Sequence, residues 1–247
     1  MGSTRAILAG LLIGTGLLSG AAAPAWAGSG PDGVEAASPQ SAGVAPPAVY
    51  TDPWLVGHYR ERTTLFAGYA PLDGTGVAFV GDSITEGGDW AALFPGMPVR
   101  NYGVSGDRSD GVLARSGQVT AARPARIILM IGTNDLANGY TPETIAANVG
   151  QVLALWKAAL PQTQLVVESV LPRQPEFDGR IRDLNARLEQ AARANGAGWI
   201  DIHTPFLSGA DRLDPAVTED DLHLTPPGYA RWKTLIEDCV REGACGR

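Results

Sequence analysis

The chain has 247 residues, 45% hydrophobic and 18% charged, with a formal net charge of −7: enough apolar material for a core, and too little charge for a disordered polyelectrolyte. An acidic chain without a long basic run is a poor partner for nucleic acid, because phosphate contacts need clustered Lys and Arg. The 31 Gly and 18 Pro show no fixed period, which excludes collagen, and with 2 Cys and 3 His there is no material for a disulfide scaffold, a four-cysteine zinc site or a His-rich metal site.

The N-terminus reads as an export signal. Arg5 is the only charge before Asp32, an apolar run follows from Ala6 to about Ala23, and Ala25-Trp26-Ala27 fits the small-x-small cleavage pattern. Glycines at 10, 14, 16 and 20 lower the hydrophobicity of the run and favour cleavage after residue 27 over an uncleaved membrane anchor. Residues 28–50 are rich in Gly, Ser, Ala and Pro without helical or strand period, a flexible linker. The folded domain is therefore expected over 51–247, which is one domain's worth of chain.

Within it, Asp52 caps a helix expected through about Ala67, with Pro53 in its first turn. Strands are expected at Val77–Val80, Pro98–Tyr102, Ile127–Ile131, around Leu165–Val167, and at Gly198–Ile202. Between them run helical patterns at Ser109–Ala122, Thr141–Leu160, Asp178–Ala194 and Pro226 to about Arg241. Alternating strands and helices predict a parallel sheet with right-handed crossovers, its ligand site beyond the carboxyl ends of the strands. Cys239 and Cys245, with five residues between them near the end of the chain, are expected to bridge in an oxidising compartment.

Four loops carry chemistry. After the first strand comes Gly81-Asp82-Ser83-Ile84, with Ser83 at the mouth of the sheet; an ordinary helix cap is its bland alternative. After the second, Asn101 to Asp107 includes Gly103 and Gly106, which let backbone N–H groups face a ligand, although the third glycine of a dinucleotide fingerprint is lacking. After the third, Gly132-Thr133-Asn134-Asp135 offers a side-chain amide to a developing oxyanion, or simply a turn. Near the end, Asp220 stands three residues before His223, so its carboxylate can turn back to Nδ1 and leave Nε2 as a base. Asp221 also neighbours His223; the three-residue spacing favours Asp220. Nucleophile, oxyanion donors, base and orienting acid are the set that acyl transfer requires.

In this order, the four segments resemble the SGNH, or GDSL, hydrolase family, over roughly Val77 to Arg241. The details around Gly81–Gly88 and Asn101–Arg115 are most similar to the branch of platelet-activating-factor acetylhydrolase subunits and bacterial lysophospholipase/thioesterases. Ile84 departs from the Leu of the signature. The resemblance implies an α/β fold, a single-domain, flavodoxin-like three-layer sandwich around a five-stranded parallel sheet. It implies Ser83 as nucleophile, His223 as base and Asp220 as orienting acid. The oxyanion hole would comprise the Ser83 N–H, the Gly106 N–H and the Asn134 amide, with no metal or organic cofactor. The expected activity is a secreted, monomeric carboxylester hydrolase for short acyl groups, with a small-molecule, carbohydrate or lipid ester as substrate. It would bind no nucleic acid and have no stable membrane insertion once the signal is removed. A lysophospholipase or lipase activity and a non-catalytic carbohydrate-binding module are the alternatives; a metal-dependent hydrolase using the acidic run Asp211–Asp221 is a further rival that the few histidines disfavour. Of the other candidates, His58 is expected on the surface, and Trp54, Trp156 and Trp232 in the core. His203 is expected to be a structural loop residue, and Asp107 and Asp135 to be braces. Trp90 and Arg173 are candidates to touch substrate.

Overall fold

The computed structural model describes residues 43–209 and 211–246; the expected signal (1–27) and residues 28–42 of the expected linker lie outside them. In chain order the elements are α1 (Pro53–Ala67), β1 (Val77–Gly81), α2 (Ser83–Glu86), α3 (Trp90–Leu93), β2 (Val99–Gly103), α4 (Ser109–Ala114), α5 (Ser116–Ala121), β3 (Arg126–Met130), α6 (Thr133–Ala137), α7 (Pro142–Ala159), β4 (Gln164–Glu168), α8 (Asp178–Ala194), β5 (Gly198–Ile200) and α9 (Pro226–Glu242).

The five strands form one parallel sheet in the order β2-β1-β3-β4-β5. Their side chains alternate between two cores, as a period of two requires. Ala78, Val80, Ile127 and Leu129 face one core, together with Tyr59 and Phe66 of α1, Val149 and Trp156 of α7, and Leu184 and Leu188 of α8. Val77, Phe79, Ile128 and Met130 face the other, together with Trp90 of α3 and Trp232 and Ile236 of α9. The result is a three-layer α/β sandwich. Strand order reverses between β1 and β3, and the loops leaving their carboxyl ends open a crevice there.

Four sequence expectations are corrected. The expected helix 109–122 is two helices, broken at Arg115 (φ −99°, ψ 8°). Arg115 is drawn inward: its Nε donates to Asp107 Oδ2 at 2.8 Å and its Nη2 to the Gly81 carbonyl at 3.0 Å. The fifth strand stops at Ile200, because Ser169 Oγ takes the backbone N–H of Ile202 (2.9 Å) and of His203 (2.7 Å) away from the ladder. Packing begins upstream of Thr51. Tyr50 is buried, its hydroxyl donating to Asp107 (2.7 Å) and accepting from Arg108 N (2.9 Å), and Val44 packs on the same core. Trp54 is not in the core; it is 63% exposed. Helix α1 buries the stripe Tyr59, Thr63 and Phe66, and Trp54 projects from a different side of the helix.

Cys239 and Cys245 are bridged. Gly243, left-handed at φ 75°, ends α9 and turns the chain back between them. The tail then covers the sheet edge: Gly246 O accepts from Trp199 N of β5 at 3.1 Å.

Candidate active site

Ser83 opens α2, directly after β1, and the side chain of Asp82 caps the helix by accepting from Ile84 N at 3.0 Å. Asp82 is buried, and burial raises its carboxyl to about 7 although the Ile84 N–H pulls the other way. Ser83 Oγ lies 3.0 Å from His223 Nε2, and His223 Nδ1 lies 2.7 Å from Asp220 Oδ2. With Nδ1 donating to a carboxylate, Nε2 keeps a lone pair for the Ser83 proton. Asp220 Oδ1 also accepts from the backbone N–H of His223 (2.7 Å) and of Leu222 (3.0 Å). Partial burial pushes the Asp220 carboxyl up, but these hydrogen bonds, led by the one from the His223 ring, hold it at about 2. Asp221 turns away to pair with Arg212.

The donors lie on neighbouring loops. Among the described residues, neither Ser83 N–H nor Gly106 N–H is given to a protein acceptor. Gly106 adopts φ +77°, and a Cβ there would come within 2.9 Å of Leu55 Cδ1, so both conformation and space call for glycine. Asn134, in the first turn of α6, donates from Nδ2 to the Asp107 carbonyl at 3.0 Å; that bond orients the amide and leaves its second N–H for a ligand.

These loops are braced from below. Asp107 pairs with Arg115 in full burial. Asp135 accepts from Ser109 N (3.0 Å) and Ser109 Oγ (2.5 Å), tying α6 to α4. Asp107 and Asp135 are the braces expected, with side chains among their partners: Tyr50 and Arg115 for Asp107, the Ser109 hydroxyl for Asp135. On β2, Asn101 Nδ2 reaches the carbonyls of Thr85 (3.1 Å) and Glu86 (2.9 Å), fixing the far end of α2. At Gly103 a Cβ would meet Glu86 N at 2.2 Å, so glycine is what lets α2 lie on β2.

Sequence reasoning misses one residue entirely. Glu86, at the end of α2, accepts from Ser105 N (2.6 Å) and Ser105 Oγ (2.8 Å), and its Oε2 lies 2.9 Å from His58 Nε2. Burial raises its carboxyl, but the bonds from His58 and Ser105 and the charge of Arg62 outweigh that and lower it. It thereby joins the helix of Ser83 to the loop of Gly106. His58, expected on the surface, is largely covered by this contact. The only available signal was an acid three residues after Ser83 and a histidine at an i,i+4 position from Trp54.

Of the remaining candidates, Trp90, Trp156, Trp232 and His203 are buried, while Arg173 reaches the residue before Asn134. Trp90 is buried and stacked on Phe79 at 3.9 Å, and its Nε1 is spent on the Thr85 carbonyl. Trp156 and Trp232 are core residues as expected. Arg173 lies over Phe177 and donates to Thr133 O and Oγ1, both at 3.2 Å. His203 is buried; with Asp201, Arg182 and Trp199 it lines a separate surface cavity of about 350 Å3 that shares no lining residue with the triad. In the 211–221 run, Asp211 pairs with Arg182, Asp214 with Arg231 and Asp221 with Arg212.

Of two further cavities, only the second borders the site. One of about 570 Å3, lined by Gln164, Gly198 and Cys245, opens at the amino ends of β4 and β5, the wrong end of a parallel sheet for chemistry. The other, about 450 Å3 and mainly apolar, is lined by Gly87, Ala92, Leu93, Leu224, Pro226 and Tyr229. It borders the triad, since Leu224 follows His223 and Gly87 ends the helix that Ser83 begins.

A family model described as the GDSL-like lipase/acylhydrolase family matches residues 79–231. The platelet-activating factor acetylhydrolase IB subunit alpha2 of Rattus norvegicus is 30% identical over 166 residues, 63% of this chain and 71% of its own length. The crystal structure of a GDSL-like lipase from Bacteroides thetaiotaomicron is 29% identical with a TM-score of 0.63, covering 75% of this chain and 98% of that one. A mutant acetyl-xylooligosaccharide esterase from Geobacillus Stearmophilus shares the fold at 18% identity, with a TM-score of 0.57 over 71% of this chain and 98% of that one.

Proposed function

This chain belongs to the GDSL-like lipase/acylhydrolase family and is an ester hydrolase; on that premise we propose that it cleaves short-chain acyl esters through an acyl-enzyme on Ser83. The observation that carries this reading is the continuous hydrogen-bonded run from Ser83 Oγ to His223 (3.0 Å) to Asp220 (2.7 Å). Ser83 Oγ attacks the carbonyl carbon while its proton passes to His223 Nε2. The oxyanion is held by the N–H groups of Ser83 and Gly106 and by the Asn134 amide. Collapse breaks the bond to the alcohol, which leaves with the proton from His223. A water then attacks the acyl carbon, giving its proton to His223; collapse breaks the acyl–Oγ bond, His223 returns that proton to Ser83 Oγ, and the acid is released. Asp220, ionised throughout, holds the imidazole in the required tautomer and stabilises the imidazolium.

Acetyl esters of carbohydrates are the substrates this reading favours; the fold shared with an acetyl-xylooligosaccharide esterase supports that choice. The apolar groove beside the triad favours a second reading, a lipase-type activity on longer acyl chains. The protein is read as a secreted monomer, and the Cys239–Cys245 bridge supports export. The test is turnover of p-nitrophenyl acetate in excess chelator by wild type and Ser83→Ala. Loss of turnover in a folded variant is expected; full retained activity overturns the mechanism. A panel of acyl lengths separates the two substrate readings, with a steep fall beyond butyryl for the first and a preference for long chains for the second.

A further inference from the structure

Trp54 is a large apolar side chain left in water: it is 63% exposed. Its ring is nonetheless held in place. It stacks on His58 one helical turn later, centroids 5.0 Å apart and planes 8° from parallel. His58 is in turn fixed by Glu86 at 2.9 Å. A stacked, braced indole presents one face to its support and the other to solvent.

The helix that carries this ring stands beside the site. Leu55, the next residue, is the side chain that meets the position of a Gly106 Cβ at 2.9 Å. The first turn of α1 therefore lies over the loop that carries Gly106, on the sheet face opposite the one that holds Leu224 and Tyr229. Helix α1 also lies outside the residues matched by the family model, which begin at 79.

Resting on the reading as a carbohydrate ester hydrolase, we infer that Trp54 forms a subsite beside the oxyanion loop that stacks against a neutral pyranose ring of the substrate alcohol. The chemistry separates this place from the groove on the other face. An alkyl chain is best covered by several apolar walls, which the groove of Leu93, Leu224, Pro226 and Tyr229 supplies. Trp54 is a single flat apolar surface with polar neighbours. Asp52, exposed two residues earlier, caps α1 with Oδ1 and keeps Oδ2 for a hydroxyl donor. A sugar ring has a flat C–H face and a rim of hydroxyls, and fits both. An anionic ligand meets Asp52 and a chain of net charge −7.

The experiment compares an acetylated xylooligosaccharide with ethyl acetate by pH-stat, for wild type, Trp54→Ala and Trp54→Phe. The ratio of kcat/KM for the sugar ester to that for ethyl acetate should fall about three- to tenfold in Trp54→Ala, the range of one aromatic contact, through KM. Trp54→Phe should keep most of the ratio. Calorimetry with the unacetylated xylooligosaccharide provides a readout free of turnover: binding by wild type and its loss in Trp54→Ala support the subsite even if the acyl-enzyme reading fails. The inference is overturned by a ratio that moves less than twofold, by wild type that does not bind the sugar, or by a Trp54→Ala change confined to oligomeric state on size exclusion, which would make the ring a contact between copies. Inactivity on both esters with sugar binding intact would count against the hydrolytic mechanism and leave the subsite standing.

Discussion

Removing the carboxylate of Glu86 should slow catalysis without touching any reacting atom. Glu86→Ala deletes the acceptor of Ser105 N (2.6 Å) and Ser105 Oγ (2.8 Å) and the partner of His58 (2.9 Å). Hydrogen bonds to a charged group contribute about 1.5–3 kcal/mol each. The Glu86 side chain is 19% exposed, so water replaces part of what is lost. A total of roughly 2–3 kcal/mol follows, well below the sum of three bonds. For a domain of this size that is a fall in Tm of about 4–12 °C. The kinetic effect is bounded by complete loss of the Gly106 donor, about 10²–10³ in kcat. A loop that is loosened but still visits its place should lose about 10- to 10²-fold, with KM little changed. Glu86→Gln keeps an oxygen for Ser105 N and should fall between. Because the folded carboxyl is lowered, its stabilisation is present above the ordinary glutamate value and is lost as pH falls through the folded one. The assay is steady-state hydrolysis of p-nitrophenyl acetate well below the Tm of each variant, beside thermal unfolding followed by circular dichroism. A Glu86→Ala protein whose Tm drops while kcat stays within twofold of wild type would refute the positioning argument.

Further tests bear on the same structure. Asn134→Ala should cost about 10²–10³ in kcat with little change in KM, since in the proposed mechanism its amide acts only on developing charge; a change confined to KM would assign it to substrate binding. Asp220→Asn should lower kcat by up to about 10⁴ by favouring the wrong imidazole tautomer, whereas Asp221→Asn, which only breaks the pair with Arg212, should leave kcat near wild type; the reverse ranking would move the acid to Asp221. Glu168 is buried against Trp232 Nε1 (3.0 Å), and burial raises its carboxyl to about 8. It is protonated in the fold and ionised when unfolded, so stability should be lost as pH rises from about 4.5 to about 8. Glu168→Gln should flatten that slope and raise Tm at pH 9, and parallel Tm–pH curves would argue otherwise. Reducing Cys239–Cys245 opens a short loop worth about 2 kcal/mol in the chain-entropy account, so dithiothreitol should lower Tm by roughly 4–8 °C and leave kcat unchanged; a loss of activity at temperatures where the reduced protein is folded would mean that the bridge supports the site.

Most of the architecture was legible because it is written locally. Five segments read as strands, and all five pair in one parallel sheet; the central β1 and β3 are the clearest, because a strand covered on both faces is apolar almost throughout. Helices α1, α7, α8 and α9 fall within a residue or so of their expected spans, since their caps and apolar stripes are local signals. Expectation failed where a distant partner overrode the local pattern. Arg115 breaks a helix because Asp107 and the Gly81 carbonyl draw it in, and Ser169 ends β5 by taking two backbone donors. The fate of each tryptophan was equally hidden. A helical setting suggests core for Trp54 and a place after the Ser83 loop suggests substrate contact for Trp90, yet Trp54 faces water and Trp90 lies buried against Phe79.

For the site, the sequence by itself determined which residue types stand at the strand ends: a serine after β1, a glycine loop after β2, an amide after β3, and an acid three residues before a histidine. Type and spacing are properties of the covalent chain. What only tertiary structure decided is how residues far apart in that chain meet. Ser83 and His223 are 140 positions apart and come within 3.0 Å, and Asp220 reaches His223 while Asp221 is held by Arg212. The brace through Glu86, and the place of Trp54 beside it, depend on α1 packing across the Gly106 loop, a contact between segments about fifty residues apart that no local periodicity encodes.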